Sequence, residues 1–344
     1  MITAIDFGCH TIRAASGNIE RPNVVRGSHE RSEYVVLPAT DRYQQMLEAN
    51  QIGYGECEDS FVVFGNKAGQ VKWLSRLPSA PLFLDGQIPT ADAPARQILN
   101  VITAAMLKNV GEPNSLCSFT SPGGRSRPGN VQFLSKLLTI NQQIPLACNA
   151  TDALILANGH STQFTGISLV FGAEVCELGI NRFGVPVASD VIPIGSNWID
   201  SEMARQSERK VYDASGDCYL DIDSIRAWKI DSKPHLRNSF DEQGRRLSRL
   251  YSVVLDRIAA SLKRLIQSNN VRSAIGDDRM NLLCGGGAIQ IGGFTSCLTE
   301  KLVEHGIAEN VLSIQCSEDA ETAVVRGLLI FGQLEQQRSQ KNAA

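Results

Sequence analysis

The residues with the clearest chemical potential stand in two segments of the same shape, AIDFGCHTIRAASG (4–17) and LVFGAEVCELGIN (169–181). In the first segment, Gly8 lets a tight turn bring backbone N–H groups close to an anion. Phosphate would repel the carboxylate of Asp6, but that carboxylate can hold Mg²⁺ through water while the amides hold the phosphates. The neighbours that supply amides and a hydroxyl are Cys9, His10 and Thr11. The segment therefore predicts part of a phosphate site. A plain hairpin end stays open as the alternative, because short glycine motifs often occur by chance.

A third segment, MNLLCGGGAIQIGGF (280–294), takes an apolar strand into three consecutive glycines and then into a helix that begins near Phe294. Such a turn presents bare backbone to a flat or anionic ligand at a helix start, although glycine-rich turns also serve plain packing. The two hairpins lie about half a chain apart, which predicts two related halves that face each other with a ligand between them.

The composition is that of an ordinary globular protein, with 344 residues, 43% hydrophobic residues, 20% charged residues and a net charge of -3. This length suits two domains, and the charge argues against nucleic acid as a partner. The 9 cysteines are scattered singly, which is typical of reduced thiols in a cytosolic protein. No apolar run approaches the ~20 residues that span a bilayer, and the N-terminus lacks the pattern of a signal peptide. We therefore expect a cytoplasmic protein.

Strands and helices alternate along the chain, which indicates an α/β fold. Short apolar runs bounded by turn residues predict strands near 2–7, 12–16, 61–64, 116–120 and 167–171. Apolar residues at helical spacing predict helices over 97–110, 131–141 and 247–268. The charge-rich segment 201–245 predicts a helical insertion and a loop outside the main sheet, and QLEQQRSQKNAA predicts a polar, frayed C-terminus.

The order of these motifs resembles that of the superfamily of actin, sugar kinases and heat-shock chaperone ATPases, and most closely the bacterial actins of the MreB type. IDFGCHT (5–11) is similar to the first phosphate hairpin, and CGGGAIQIGGF (284–294) to the adenosine motif. The other matching segments are LFLDGQIPTAD (82–92), similar to DG-V-I-A-D, IPIGSNWIDSEMAR (192–205), similar to IGG-x-x-x-D, and EDAETAVVRG (318–327), similar to ED-P-x-x-x-V-A-R-G.

The resemblance implies an actin-like fold, with two α/β domains that each hold a mixed sheet flanked by helices, and a cleft between them for ATP or ADP with Mg²⁺. It divides the chain into domain I (1–150, small subdomain about 30–75), domain II (151–330, reduced small subdomain about 200–245) and a polar tail (331–344). Asp6 would hold the metal through water. The nucleotide-binding residues that the resemblance implies are Asp6, Gly8, Cys9, His10, Thr11, Gly172, Ala173, Glu174, Asp223, Ser224, Ile225, Arg226, Gly285, Gly286, Gly287, Ala288 and Ile289.

The second hairpin departs from the family pattern, D-x-G-G-G-T-T followed by an acidic residue. Val170 stands for the metal-side aspartate, and Val175 for the phosphate-contacting threonine. Ala173 and Glu174 stand for two of the glycines, and the carboxylate of Glu174 would face the γ-phosphate at a cost unless a cation lies between them.

The hinge segment ATDALILANG (150–159) is similar to E-P-x-A-A-A-x-x-x-G, which puts Ala150 where the family glutamate positions the attacking water. Phosphoryl transfer depends on such positioning, so its loss predicts slow or absent hydrolysis. The catalytic residue is therefore unknown, and the candidate substitutes are Asp152, Glu174 and Glu177.

Two functions follow from the resemblance. The first is a divergent bacterial actin-like cytoskeletal protein that binds ATP, self-associates into filaments and is at most a slow ATPase. The second is a non-hydrolysing actin-fold scaffold or adaptor, similar to pilus-assembly and cell-division members. A small-molecule kinase ranks last, because no catalytic acid is apparent at the second hairpin or the hinge.

The segment VKWLSRLPSAPLFL (71–84) is similar in position to the bacterial actin loop that inserts into lipid. Trp73 and Leu74 stand there beside Lys72 and Arg76, a mixture that suits a membrane interface. One interpretation is that this segment contacts a membrane peripherally. The alternative is that these side chains are buried in the core together with Leu82 and Phe83.

Overall fold

A computed structural model describes residues 2–18, 21–213, 216–276 and 278–343. Ala214 and Ser215, in the charge-rich insertion, and Ala344, at the end of the expected tail, lie outside the described residues. The strands are β1 (Ile2–Phe7), β2 (Thr11–Asn18), β3 (Arg21–Arg31), β4 (Glu33–Pro38), β5 (Gly55–Cys57), β6 (Ser60–Phe64), β7 (Ala80–Pro81), β8 (Leu116–Thr120), β9 (Ile144–Ala147), β10 (Gly166–Phe171), β11 (Cys176–Arg182), β12 (Val185–Ile192), β13 (Lys210–Tyr212), β14 (Cys218–Leu220), β15 (Met280–Gly285) and β16 (Val311–Cys316).

The helices surround these strands and connect the two halves. They are α1 (Asp41–Ala49), α2 (Asn66–Ser75), α3 (Ala93–Val110), α4 (Pro128–Ile140), α5 (Ala150–Asn158), α6 (Ser196–Gln206), α7 (Ile222–Ser232), α8 (Glu242–Gln267), α9 (Asn269–Ile275), α10 (Phe294–Glu304) and α11 (Ala323–Ala343). Short 3-10 turns occupy Gly124–Ser126, His160–Thr162, Gly287–Gln290 and Ala308–Asn310.

The two main sheets have the same topology. Their strand orders are β3-β2-β1-β8-β9 and β12-β11-β10-β15-β16. In each sheet the central strand pairs antiparallel with the second strand of its hairpin and parallel with a strand from much later in the chain. The mixed sheets and flanking helices confirm the predicted α/β architecture, and the shared strand order accounts for the repeated hairpin.

Local sequence explains why the helices form where they do. The side chain of Asp92 caps α3 by accepting from the Ala95 N–H at 2.9 Å, with Pro94 in the first turn. Asp241 caps α8 by accepting from the Gly244 N–H. The buried residues of α8 recur at helical spacing and form one face against the second sheet: Leu247, Leu250, Tyr251, Val254, Leu255, Ile258 and Leu262.

Helices α5 and α11 cross between the two halves. Ala150 and Ala153 of α5 pack with Val324 and Leu328 of α11 in one buried cluster, together with residues of β1 and β2. A Cβ on Gly327 would lie 1.8 Å from the Ala153 carbonyl oxygen, so the two backbones are in direct contact at this glycine. The crossing therefore depends on a residue without a side chain.

Two expectations of the sequence were wrong in detail. The segment QLEQQRSQKNAA (333–344) was expected to be frayed, but α11 continues through it to Ala343, because its Leu, Glu, Gln, Arg and Lys residues are strong helix formers. The insertion 201–245 holds, besides helix, the antiparallel pair β13–β14, whose strands of 3 residues each are too short to give an alternating pattern. A four-stranded sheet, β5-β6-β4-β7, lies with α1 and α2 in and just beyond the segment 30–75 that is expected to form the first small subdomain. The domain boundaries at 150 and 330 stay predictions.

Candidate functional site

A cavity of about 650 Å³ lies between the two halves. This volume is in the range of small-molecule sites. Both hairpins and the glycine turn after β15 contribute to its wall. Predicted residues that line it are Asp6, Gly8, Cys9, His10, Thr11, Ala150, Gly172, Ala173, Glu174, Glu177, Arg226, Gly286, Gly287 and Ala288. We call this cavity the cleft.

The carboxylate of Asp6, in the first hairpin, is buried and hydrogen-bonded. The Thr120 hydroxyl donates to Asp6 Oδ1 at 2.7 Å, and burial raises the pKa of Asp6 from its ordinary value. Gly8 is required by the turn itself, since a Cβ there would lie 2.6 Å from the Thr11 carbonyl oxygen. The Ser32 hydroxyl donates to the Gly8 carbonyl at 2.5 Å and ties the turn to the β3–β4 connection. The turn is therefore fixed before any ligand binds.

His10 is held neutral at the cleft wall. Burial, followed by the nearby charges of Arg226 and Arg31, lowers the pKa of His10 to about 3. Its Nε2 contacts the guanidinium of Arg31, which donates to the unprotonated nitrogen. A ring with this pKa does not accept a proton near neutral pH, so His10 is unsuited to be a general base.

The second hairpin is closed by α6. Its turn needs Gly172, because a Cβ there would lie 2.8 Å from the Val175 carbonyl oxygen. The first amides of α6 donate to the hairpin, Ser196 N–H to the Gly172 carbonyl at 3.1 Å and Asn197 N–H to the Ala173 carbonyl at 2.8 Å. These amides are consequently already used within the protein.

A chain of polar contacts leads from Glu174 to the cations of α7. The Asn197 amide donates to Glu174, and Arg226 Nη2 donates to Asn197 Oδ1 at 2.8 Å. Arg226 Nε lies 3.3 Å from an oxygen of the buried Asp200, which Lys229 also contacts. Burial raises the pKa of Glu174. A single side chain, that of Asn197, thus separates Glu174 from the positively charged Arg226.

The glycine turn backs onto the second hairpin. Gly286 has a φ of 94°, and a Cβ there would lie 2.3 Å from the Phe171 carbonyl oxygen. The neighbouring Gly287 has open space around the position of a Cβ. Gly286 is therefore required by packing, while Gly287 leaves room in the cleft.

Glu177 is a buried acid of the cleft wall. It accepts from the Gly123 N–H at 3.1 Å and is 7% exposed. Burial raises the pKa of Glu177 to about 7, with a further contribution from the charge of Asp6. Asp152, another predicted substitute for the hinge acid, points away from the cleft and accepts from Asn149 at 2.8 Å and Asn181 at 2.9 Å. Ala150 lines the cleft at the hinge.

Several predicted residues lie outside the cleft wall. The side chain of Ile225 is in the core of the second half, as is that of Ile289. Ser224 donates its N–H to the helix cap Asp221, and Gly285 packs on Leu154. Asp223 instead reaches the first half of the chain, where its carboxylate pairs with Lys72 of α2 at 2.5 Å. We call the two halves on either side of the cleft the lobes. Of the motif Asp223–Arg226, only Arg226 consequently lines the cleft, and Asp223 forms an ion pair between the two lobes.

The cleft also contains basic residues that the motifs did not indicate. They are Arg13, Arg31, Lys229 and Lys233. Arg13, near the start of the sequence, pairs with Glu321, near its end, at 3.1 Å. These residues come from strands and helices distant in sequence, so no spacing pattern brings them together. Their basic character was the one available signal, with Arg13 in β2, Arg31 at the end of β3, Lys229 in the last turn of α7 and Lys233 at its C-terminal cap.

The segment 71–84, which begins in α2, has some hydrophobic side chains in the core and others at the surface. Leu82 and Phe83 are fully buried, as the core interpretation of this segment predicts, but Trp73 is 82% exposed and Leu74 is 37% exposed. Lys72 is engaged by Asp223. Among the helices of the described residues, none combines the length and apolar character needed to cross a membrane.

Comparison with solved structures shows first that the chain has an actin-like fold. Among solved structures, a MamK double helical filament matches with a TM-score of 0.72 and 14% identity, covering 96% of this chain and 98% of that chain. MreB 5 of Spiroplasma citri bound to AMPPNP matches with a TM-score of 0.71 and 13% identity, covering 99% and 98%. The ethanolamine utilization protein EutJ from Carboxydothermus hydrogenoformans matches with a TM-score of 0.54 and 14% identity, covering 96% and 89%.

A match to a family model is more specific than the likeness in fold. The Volactin family model matches residues 1–331, and the chain belongs to this family.

Proposed function

We propose that this chain is an actin-like cytoskeletal protein that binds an adenine nucleotide, ATP or ADP, in the cleft, assembles with copies of itself into filaments, and hydrolyses nucleotide slowly or not at all. The structures similar to it include MreB5 of Spiroplasma citri bound to AMPPNP and to ADP, and a MamK filament. At 13–14% identity these matches support the fold, and the remaining argument rests on the cleft.

The observation that carries the proposal is the positive cluster opposite the first hairpin. Arg226 and Lys229 project from α7 into the cleft, with Arg31 beside the turn at His10. A polyphosphate between the hairpin and α7 would meet these cations, and Arg suits phosphate because its fork of donors matches the oxygens. Arg226 also offsets the charge of Glu174.

A magnesium ion fits this cleft in one way. Among the described residues, no group of three or more His, Cys, Asp or Glu side chains could hold a metal. Asp6 would hold Mg²⁺ through water, with phosphates as the other ligands, as Mg²⁺ commonly binds in nucleotide sites. The ion would neutralise phosphate charge there, and Val170 offers no second carboxylate across the cleft.

Slow hydrolysis follows from the groups available to a water near the γ-phosphate. Ala150 has no polar side-chain atom, and Asp152 is held by two asparagines outside the cleft. Glu174 and Glu177 remain within the cleft as substitutes. The missing hinge acid supports a nucleotide that sets conformation more than one that is turned over. A non-hydrolysing actin-fold scaffold or adaptor is the second candidate, favoured because the first amides of α6 already donate to the second hairpin and are not free for a phosphate.

The experiment is a direct binding measurement of Mg·ATP by calorimetry, followed by pelleting and negative-stain microscopy with ATP, ADP and neither. We expect binding by the wild type, and affinity at least about tenfold lower for Arg226→Ala, since a charged hydrogen bond contributes about 1.5–3 kcal/mol. Arg264→Ala is the matched control, because Arg264 is an exposed arginine that pairs with Asp190 on α8's outer side.

The outcomes separate the parts of the proposal. Absence of wild-type binding at millimolar Mg·ATP rejects the nucleotide site. Absence of polymers under every nucleotide and salt condition rejects the filament and leaves the scaffold. Turnover at the rate of a competent family ATPase contradicts slow hydrolysis.

We further propose that the exposed end of α2 contacts lipid. The double variant Trp73→Glu, Leu74→Glu should lose most of the co-sedimentation with anionic vesicles that the wild type shows, because an aromatic ring and a leucine are replaced by charges. Phe240→Glu is the control, since Phe240 is 92% exposed but lies in the loop before α8. Equal sedimentation of both variants, or no sedimentation of the wild type, would reject the contact.

A further inference from the structure

Two cysteines face each other across the parallel pair β15–β16. Cys284 and Cys316 are register partners at the ends of these strands. Adjacent strands lie about 4.8 Å apart, and disulfides join Cα atoms separated by roughly 4.4–6.8 Å. The register therefore places the two Cα atoms within the range that disulfides join.

The two thiols are chemically unequal. Cys284 is fully buried, whereas Cys316 is exposed on the edge strand β16. The hydrogen bond from the Cys284 thiol lowers the pKa of Cys316 to about 6, against the effect of partial burial, and the Thr295 hydroxyl, 3.6 Å from Cys316 Sγ, lowers it further. The same contact with Cys316 raises the pKa of Cys284. One sulfur is thus a solvent-facing thiolate and the other a protonated thiol beside it.

We propose that Cys316 is a peroxide-reactive thiol and that Cys284 resolves it to an intrachain disulfide. This site is independent of the nucleotide function. The Cys316 thiolate attacks one oxygen of a hydroperoxide, the O–O bond breaks, and the departing oxygen takes a proton to leave as water or an alcohol. The Cys284 sulfur then attacks the resulting sulfenic acid, an S–S bond forms, the S–O bond breaks, and the hydroxide leaves as water with the Cys284 proton. The two thiols lose two electrons and two protons in total.

The pair lies at the base of two segments that reach the cleft. Ser317 N–H donates to the Cys284 carbonyl at 2.9 Å, and Gly286 N–H donates to the Ala320 carbonyl at 3.0 Å. Gly286 and Ala320 both line the cleft. The disulfide would consequently form two residues before the glycine turn, without requiring either strand to change its partner.

The test treats the reduced full-length protein with a slight molar excess of hydrogen peroxide, blocks free thiols and maps tryptic peptides. Cleavage after Arg279, Lys301 and Arg326 leaves Cys284 and Cys316 on different peptides, so the disulfide appears as a linked pair. Cys297 shares the peptide of Cys284, and the experiment is therefore run in a Cys297→Ser background as well. The exposed Cys57 and Cys218 are the internal controls.

We expect the linked peptide in both backgrounds, with Cys316 oxidised about tenfold faster than Cys57 or Cys218, as a larger thiolate fraction predicts. In Cys284→Ser, Cys316 should accumulate as a sulfenic acid that dimedone traps, and Cys316→Ser should leave Cys284 reduced. Loss of the link in the Cys297→Ser background, equal oxidation rates at the three exposed cysteines, or oxidation of Cys284 in Cys316→Ser would each overturn the proposal.

Discussion

Gly327→Ala is expected to destabilise the protein more than any other single methyl group added to a helix described above. The new Cβ would lie 1.8 Å from the Ala153 carbonyl oxygen, about half of an ordinary contact distance, so α5 and α11 must separate. Overpacking of this kind typically costs about 1–3 kcal/mol and more where backbone opposes backbone. Alanine gains about 1 kcal/mol of helix propensity over glycine, which offsets part of this cost.

Thermal unfolding followed by circular dichroism measures the effect. We expect a midpoint lower by about 2–5 °C, since 1 kcal/mol shifts the midpoint of a chain of this length by roughly 1–2 °C. Gly69→Ala, in α2, is the matched control: a Cβ there meets nothing within 4 Å, so the same exchange should be neutral or slightly stabilising. Similar midpoints for Gly327→Ala and the wild type would contradict the close crossing of the two helices.

Glu177→Gln is expected to stabilise the ligand-free protein at alkaline pH. Burial raises the pKa of Glu177 from 4.5 to about 7, so ionising this carboxyl costs more in the folded than in the unfolded chain. Its contribution to stability is complete below about pH 4.5 and is lost as the pH rises through about 7. The difference of roughly 2.5 pH units corresponds to about 3 kcal/mol. Glutamine avoids this loss and still accepts from the Gly123 N–H.

The measurement is the unfolding midpoint from pH 5 to pH 8 without nucleotide. The wild type should lose stability relative to Glu177→Gln across this range, and the variant should be more stable by about 1–3 kcal/mol at pH 8. Glu309→Gln, at an exposed position after α10, is the control for removing a charge. Parallel pH curves for the wild type and Glu177→Gln would show that Glu177 does not titrate in this range.

The sequence predicted the parts of the cleft that depend on local geometry. A turn that must bring Gly8 against Thr11, or Gly172 against Val175, has a short and specific pattern, and so does the glycine run that includes Gly286. Gly327 was visible in the same way, as the last residue of a motif. In each case the glycine is explained by a backbone contact within the protein, which a sequence pattern alone does not distinguish from a ligand contact.

The parts that could not be predicted depend on tertiary placement. Arg31 reaches His10 through the pairing of β2 with β3, and Lys229 reaches Asp200 from another helix. The motif at 223–226 indicated the right helix, but its side chains diverge around the helix, into the cleft, into the core and toward the opposite lobe. The burial of Asp152 between two asparagines likewise has no local signature.

The ion pair between Lys72 and Asp223 has a kinetic consequence. It joins α2 of the first half to α7 of the second half, and the Asp223 side chain is half exposed. Exposed pairs of this kind contribute roughly 0.2–1 kcal/mol, so thermal motion breaks the pair in a substantial fraction of molecules at any moment. A pair this weak cannot hold the two halves closed, so it adds little to the barrier for exchange of a ligand. The residence time of a bound molecule would then depend on the contacts deeper inside, because salt screens an exposed pair more strongly than buried contacts.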